Sequence, residues 1–137
     1  MKFPNLFGKK DVTSEVTKQS PFRILTEFVP YKLYADRKSS ATLSIKLKNL
    51  TTEPLMSSIV VKLPRQLSFD QMGQNQEKEI RLGDLAANDE KEARVDVYGG
   101  PSVEKGDYTM SITAFAHYRD YAHVLNAVSK KSSIEVV

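Results

Sequence analysis

Apolar and polar side chains alternate with a period of two residues along most of the chain after residue 20. In the segment SATLSIKLKNL, Leu43, Ile45 and Leu47 fall on one face, and serine, threonine and lysine fall on the other. The same alternation returns in LMSSIVVKLP, EKEIRLGDL, EKEARVDV, DYTMSITAFAHY and SSIEVV, and a weaker form opens the series in FRILTEF. This period is typical of antiparallel strands that cover a core with one face and meet water with the other.

Turn-forming segments separate these strands, among them TTEP, Gly83-Asp84 and Gly99-Gly100-Pro101. Short strands at such spacing favour two packed sheets over a fold that alternates strands with helices. We therefore predict an all-β fold, a seven-stranded immunoglobulin-like β-sandwich over residues 21–137. By analogy with that fold, strands one, two, five and four form one sheet, and strands three, six and seven form the other. The central residues of four strands should be fully buried: Ile45, Val61, Val95 and Ile112.

Segment 120–130, DYAHVLNAVSK, has two interpretations. Asp120 can cap a short helix that buries Tyr121, Leu125 and Val128 at helical spacing. Alternatively, the segment extends a hairpin with the strand before it. The pattern leaves both open.

Residues 1–20 lack the alternation, and we predict that they form a flexible N-terminal tail. Phe3, Leu6 and Phe7 stand beside a lysine pair there, so the tail is a candidate contact with another protein or with a membrane surface. No secretory signal and no apolar run long enough to cross a bilayer is evident. With Met1 as the native start, we expect a cytoplasmic protein.

Composition narrows the chemistry further. The 137 residues include no cysteine, which excludes disulfides and thiolate metal sites. The net charge of +3 is spread over closely alternating signs, so we expect no nucleic-acid partner. A tight hairpin centred on Asp120 would set His117 opposite His123, but a metal site needs more ligands than two histidines supply. No serine lies in a nucleophile motif and no cleft of carboxylates is marked, so we expect no enzyme activity, no cofactor and no metal.

The turns also resemble those of a known family. Asn49 ends a strand before a short turn, Leu63-Pro64 ends the next strand, Leu82-Gly83-Asp84-Leu85 follows, and Gly106-Asp107-Tyr108 opens the penultimate strand. This run is similar to the CARDB domains (cell-adhesion-related domains of bacteria and archaea) and to their relatives appended to bacterial α-galactosidases. The resemblance implies an immunoglobulin-like fold and an accessory interaction role, and it supplies no catalytic residues. The residue Tyr108 fits a tyrosine corner, whose hydroxyl binds nearby backbone.

Strand period also fixes which side chains point outward. Met56 and Val60 should face out from the third strand, and Phe115 and His117 from the sixth, forming a candidate partner-binding patch. Leu125 or Val128 could instead fold back and cover it. We predict a non-catalytic protein-binding or scaffolding module that contacts another protein or a second copy. The alternatives are an accessory or carbohydrate-binding domain of an enzyme complex, or a membrane-surface adaptor that uses its tail.

Overall fold

The computed structural model describes residues 20–100 and 103–137, which form nine β-strands. The strands are β1 (Phe22–Val29), β2 (Lys32–Leu33), β3 (Ser40–Asn49), β4 (Leu55–Lys62), β5 (Leu67–Ser68), β6 (Glu77–Leu85), β7 (Glu90–Gly99), β8 (Gly106–Tyr118) and β9 (Asp120–Val136). Over these two ranges no helix has the length and apolar character to cross a membrane.

The strands form two sheets, which pack as an all-β sandwich as the sequence predicts. One sheet has the order β1-β3-β7-β5, and the other has the order β2-β9-β8-β4-β6. β2 and β5 contain two residues each and add short pairings to the seven longer strands.

The predicted sheet for the fourth long strand, β6, is wrong. β6 pairs with β4 from Leu55↔Leu85 to Lys62↔Glu77, so it belongs to the five-stranded sheet. The connection between the two strands explains this placement. Within it the N–H of Leu63 donates to the carbonyl of Gln76 at 2.7 Å, so the chain turns back along β4.

The core lies between the two sheets and is built from the apolar faces of the alternating strands. Ile45, Val61 and Ile112 have no exposed surface, and Val95 is 4% exposed, which confirms the predicted core positions. Each side chain of this size contributes about 1.5–3 kcal/mol by leaving water. The burial of alternate residues therefore fixes the register of β3, β7 and β8, since a shift by one residue would expose the apolar set of each strand.

Polar turn residues hold the ends of the strands. The buried Asn49 amide donates to the carbonyls of Glu53 at 2.8 Å and Leu85 at 2.9 Å, so it joins the turn between β3 and β4 to the end of β6. The Tyr108 hydroxyl donates to the carbonyl of Glu104 at 2.8 Å, as expected of a tyrosine corner. Gly83, with φ of 73°, sits beside a bulge within β6 instead of forming a turn.

Segment 120–130 is extended, so the hairpin interpretation is confirmed and the helical one is wrong. β9 pairs with β8 along its length, and the turn between them is at Arg119, whose φ is 71°. Strand pairing sets Val128 opposite Ala114 on the core side of the sheet. On the outer side of the sheet, the hydroxyls of Thr113 and Ser129 share a hydrogen bond of 2.9 Å.

Candidate functional site

The outer face of the five-stranded sheet brings the predicted patch residues together. Met56 pairs with His117 on the neighbouring strands β4 and β8, and Val60 pairs with Thr113 four residues further along β4. Phe115 lies between these two rows. Met56, Val60 and Phe115 are half-buried, and we refer to these three residues as the outer patch.

Charged residues form a rim on two sides of the outer patch. Glu79 pairs with Val60 and Arg81 with Ser58 on the β6 side, and Lys131 lies on the β9 side opposite Ser111. The patch is therefore an apolar centre with a charged rim on the same sheet face.

The outer face of the four-stranded sheet differs, because its polar groups bind one another. Thr42 donates to Asp96 at 2.9 Å, Ser44 donates to Glu92, and the Arg94 guanidinium lies 3.2 Å from the Glu92 carboxylate. This face is a solvated polar surface, as the sequence predicts.

His117 points to the outer face but is only 6% exposed, so its predicted accessibility is wrong. Its Nε2 shares a 2.7 Å hydrogen bond with the hydroxyl of Ser58. The ring of Tyr121 meets the imidazole edge-on with centroids 4.9 Å apart, and Phe115 lies on another side at 6.1 Å. His117 therefore packs beside Phe115 of the outer patch, and its own side chain is too buried to contact a partner.

Tyr121 fixes the tip of the β8–β9 hairpin to the far edge of the sheet. Its hydroxyl accepts the N–H of Gly83 at 2.9 Å, and the Arg81 guanidinium stacks over its ring at 4.6 Å. Both partners belong to β6, two strands away from β8 in the sheet order. Neither the Ser58 contact nor the Tyr121 contact had a signal in the sequence, because each depends on pairings between distant segments.

The two residues expected to be able to cover the outer patch do not do so. Val128 packs against the core on the other side of the sheet, and Leu125 is 62% exposed beyond the patch. The predicted tail residues, Phe3, Leu6 and Phe7, lie outside the described residues.

The Ser58–His117 pair has the two groups of a nucleophile and its base, but not the surroundings that catalysis requires. Ser58 is 1% exposed, so no substrate reaches its hydroxyl. The Nδ1 of His117 is buried without a hydrogen-bond partner in the described part of the chain, so no third group orients the ring. The pair is a buried polar contact within the sheet.

The second histidine lies apart from the first. His117 pairs with Val124, so the expected opposition of His117 and His123 is wrong. The reason is that the turn lies at Arg119 and the register shifts beside His117. The Nδ1 of His123 instead donates to the Asp120 carboxylate at 2.6 Å, and this bond holds the pKa of Asp120 below its ordinary value. Among residues 20–100 and 103–137, no three histidine, aspartate or glutamate side chains form a metal-binding group.

No protein-family model matches the chain, and no curated protein sequence matches it. Solved structures do match. A mutant of Salmonella α-2-macroglobulin is similar at 19% identity and a TM-score of 0.62, over 85% of this chain and 7% of that one. The native conformation of E. coli α-2-macroglobulin is similar at 16% identity and a TM-score of 0.57, over 83% of this chain and 6% of that one.

A smaller protein matches along almost its whole length. The FixG-related protein from Vibrio parahaemolyticus has 11% identity and a TM-score of 0.55, over 85% of this chain and 97% of that one. Identities this low show the fold alone. The chain is an immunoglobulin-like β-sandwich.

Proposed function

We propose that this chain is a non-catalytic protein-binding module and that the outer patch is its contact surface. The observation that carries the proposal is the adjacency of Met56, Val60 and Phe115 on β4 and β8, with a rim of charged residues on two sides. A compact apolar centre with a polar rim is the usual anatomy of a protein interface.

Three further features support this proposal. The one serine–histidine pair in the described residues is closed to substrate, which supports a non-catalytic role for the outer face. The sequence at Asn49, at Leu63-Pro64 and at Gly106-Asp107-Tyr108 resembles that of the CARDB domains, whose implied roles are accessory interactions. The Tyr121 contacts hold the hairpin against β6, so the patch is presented on a rigid surface, which lowers the entropic cost of binding.

The test replaces Phe115 with serine. Leu25→Ser is the matched control, because Leu25 is 44% exposed on β1 in the opposite sheet. Capture from native lysate with quantitative mass spectrometry measures binding to other proteins, and sedimentation equilibrium measures self-association. We expect Phe115→Ser to weaken the principal contact about tenfold or more, as loss of an interface aromatic does, and Leu25→Ser to leave it unchanged.

Circular dichroism and thermal unfolding establish that both variants fold. Equal capture and equal sedimentation for Phe115→Ser and the unmodified protein would reject the outer patch as the contact surface.

A further inference from the structure

Within residues 20–100 and 103–137, most of β9 has a free edge. β2 pairs only with its end, through Lys32↔Glu135 and Leu33↔Val136. From Ala127 to Ser133, β8 is the one strand that lies beside β9 in the part of the chain that the structure describes. This stretch therefore has a side on which no strand is paired.

Main-chain hydrogen bonds show which residues face that side. The N–H of Val137 donates to the carbonyl of Leu33 at 2.9 Å, and its carbonyl accepts the N–H of Ala35 at 2.9 Å, so Val137 points away from β8. Alternate residues of a strand direct their main-chain groups to the same side. The residues that share this orientation along the free stretch are Ser133, Lys131, Ser129 and Ala127. In agreement, the N–H of Ala127 is bound by the side chain of Asn126 at 2.8 Å and not by β8.

The edge of β1 is closed by side chains. The hydroxyl of Ser20 accepts the N–H of Phe22 at 3.4 Å and donates to its carbonyl at 2.8 Å. The ammonium of Lys130 donates to the carbonyl of Ile24 at 3.1 Å. Two residues of β1 therefore already have partners for their edge groups.

Charged side chains protect the edge of β6 against pairing with a further strand. Lys91 donates to the carbonyls of Leu82 at 2.8 Å and Asp84 at 3.2 Å, and β6 carries the charged run Glu77–Glu79. Charged edges are the common protection against unwanted strand pairing. In contrast, residues 124–129 of β9, VLNAVS, contain no charge. The first part of the free edge of β9, from Ala127 to Ser129, therefore has no charged side chain, and the two charges in its second part, Lys130 and Lys131, are both cationic.

A groove runs between the start of β1 and the free edge of β9. Its apolar lining comprises Pro21, Phe22, Ile24, Leu50, Ala127 and Val128. Two cationic residues, Arg23 and Lys130, also line it, and none of its lining residues carries a carboxylate. The groove thus combines apolar contacts with an unbalanced positive charge beside the main-chain groups of Ser129, which face the side without a paired strand.

We propose that the free edge of β9, from Ala127 to Ser133, binds an extended acidic segment of another protein by β-strand addition. Main-chain bonds to Ser129 and Lys131 would supply affinity, as in other cases of strand addition. Apolar side chains at alternate positions would enter the groove, and a carboxylate would meet Arg23. This site is distinct from the outer patch and requires no residue of it.

The probe is a synthetic peptide of about ten residues that alternates valine with threonine and carries two glutamates, blocked at both ends. Two control peptides carry lysine in place of glutamate, or proline at the two central positions. Titration calorimetry with the full chain measures affinity. We expect the acidic peptide to bind about tenfold more tightly than the lysine peptide, and the proline peptide not to bind.

Ser129 offers a matched pair of variants. Ser129→Pro removes an N–H that faces the free side, so the ladder with β8 is kept, whereas Ser129→Ala removes only the hydroxyl bound to Thr113. We expect Ser129→Pro to lower the affinity for the acidic peptide at least about tenfold, and Ser129→Ala to keep that affinity within about twofold of the unmodified protein. Arg23→Gln should reduce the preference for the acidic over the lysine peptide about threefold.

Hydrogen exchange in the free, dilute protein separates this proposal from other occupants. We expect the amide of Ser129 to exchange rapidly and to become protected when the acidic peptide is added. Protection in the free monomer would assign the edge to another segment of the same chain, and a dimer that Ser129→Pro dissociates would assign it to a second copy. Either result would overturn the proposal, as would equal peptide affinity for Ser129→Pro and Ser129→Ala. Because these readouts use a peptide and leave Phe115 unchanged, they are independent of the outer-patch test.

Discussion

The buried pair of Ser58 and His117 gives the sharpest test of the energetics. The His117 Nδ1 has no hydrogen-bond partner among the residues that the structure describes, so one buried nitrogen is already unsatisfied there. Ser58→Ala would remove the 2.7 Å bond and leave the second ring nitrogen unsatisfied as well. A buried polar group that loses its partner costs about 1–3 kcal/mol, a large fraction of the roughly 5–15 kcal/mol that stabilises a domain of this size.

The double variant Ser58→Ala with His117→Phe should behave differently. It removes the hydroxyl and both ring nitrogens together, so no buried polar atom is stranded. The new phenyl ring keeps an edge contact with Tyr121, and aromatic pairs contribute about 0.5–1.5 kcal/mol. We therefore expect the double variant to lie within about 1 kcal/mol of the unmodified protein or above it, because replacing both partners by apolar groups is often neutral.

Urea unfolding followed by circular dichroism measures the free energy of unfolding for Ser58→Ala, for His117→Phe and for the double variant. Ser57→Ala is the control, since Ser57 is a neighbouring buried serine that bonds only the carbonyl of Leu55, at 3.0 Å. It should cost less than Ser58→Ala. A loss below about 0.5 kcal/mol for Ser58→Ala, or a double variant less stable than both singles, would refute the reasoning.

The remaining predictions concern the core and the hairpin tip. Ile112→Ala should lower the free energy of unfolding by about 2–5 kcal/mol and Ile112→Val by about 0.5–1.5 kcal/mol in urea titrations; a loss below about 1 kcal/mol for alanine would contradict the full burial of Ile112. The bond from His123 lowers the pKa of Asp120 in the folded state, so its contribution to stability is present above the unfolded pKa and is lost as the pH falls through the folded pKa. His123→Ala should raise the pKa of Asp120 toward its ordinary value in an NMR titration, and an unchanged pKa would show that the bond has no influence.

The strands were predictable because their signal is local. A period of two marks a strand with one buried face, so the core positions of Ile45 and Ile112 follow from the sequence. The placement of β6 was not predictable in this way. Either sheet of the sandwich can accept an alternating strand. Which sheet β6 joins depends on how the chain turns back along β4 between Leu63 and Gln76.

The sequence predicted which face of the sheet the candidate site residues point to, but not how deeply each side chain is buried. Alternation was enough to point Met56, Val60 and Phe115 to one outer face. The burial of His117 depends on Tyr121, which reaches it only because the hairpin turns at Arg119 and its register shifts. Bulges and positive φ values at residues other than glycine are set by the whole sheet, and a pattern of apolar positions does not record them.

The outer patch and the free edge of β9 are neighbouring but separate sites on the five-stranded sheet. Phe115 pairs with Ala127 across the β8–β9 hairpin, so Ala127 belongs to the row of the outer patch and also begins the free edge. A strand added to β9 would lie about 4.8 Å from it and would continue that row by one position. Long side chains of such a strand would then come within reach of the rim of the patch. Phe115→Ser and Ser129→Pro therefore test the two sites separately. Phe115→Ser removes a side chain of β8, two strands away from the added segment, whereas Ser129→Pro removes a main-chain N–H of β9 that would bind that segment.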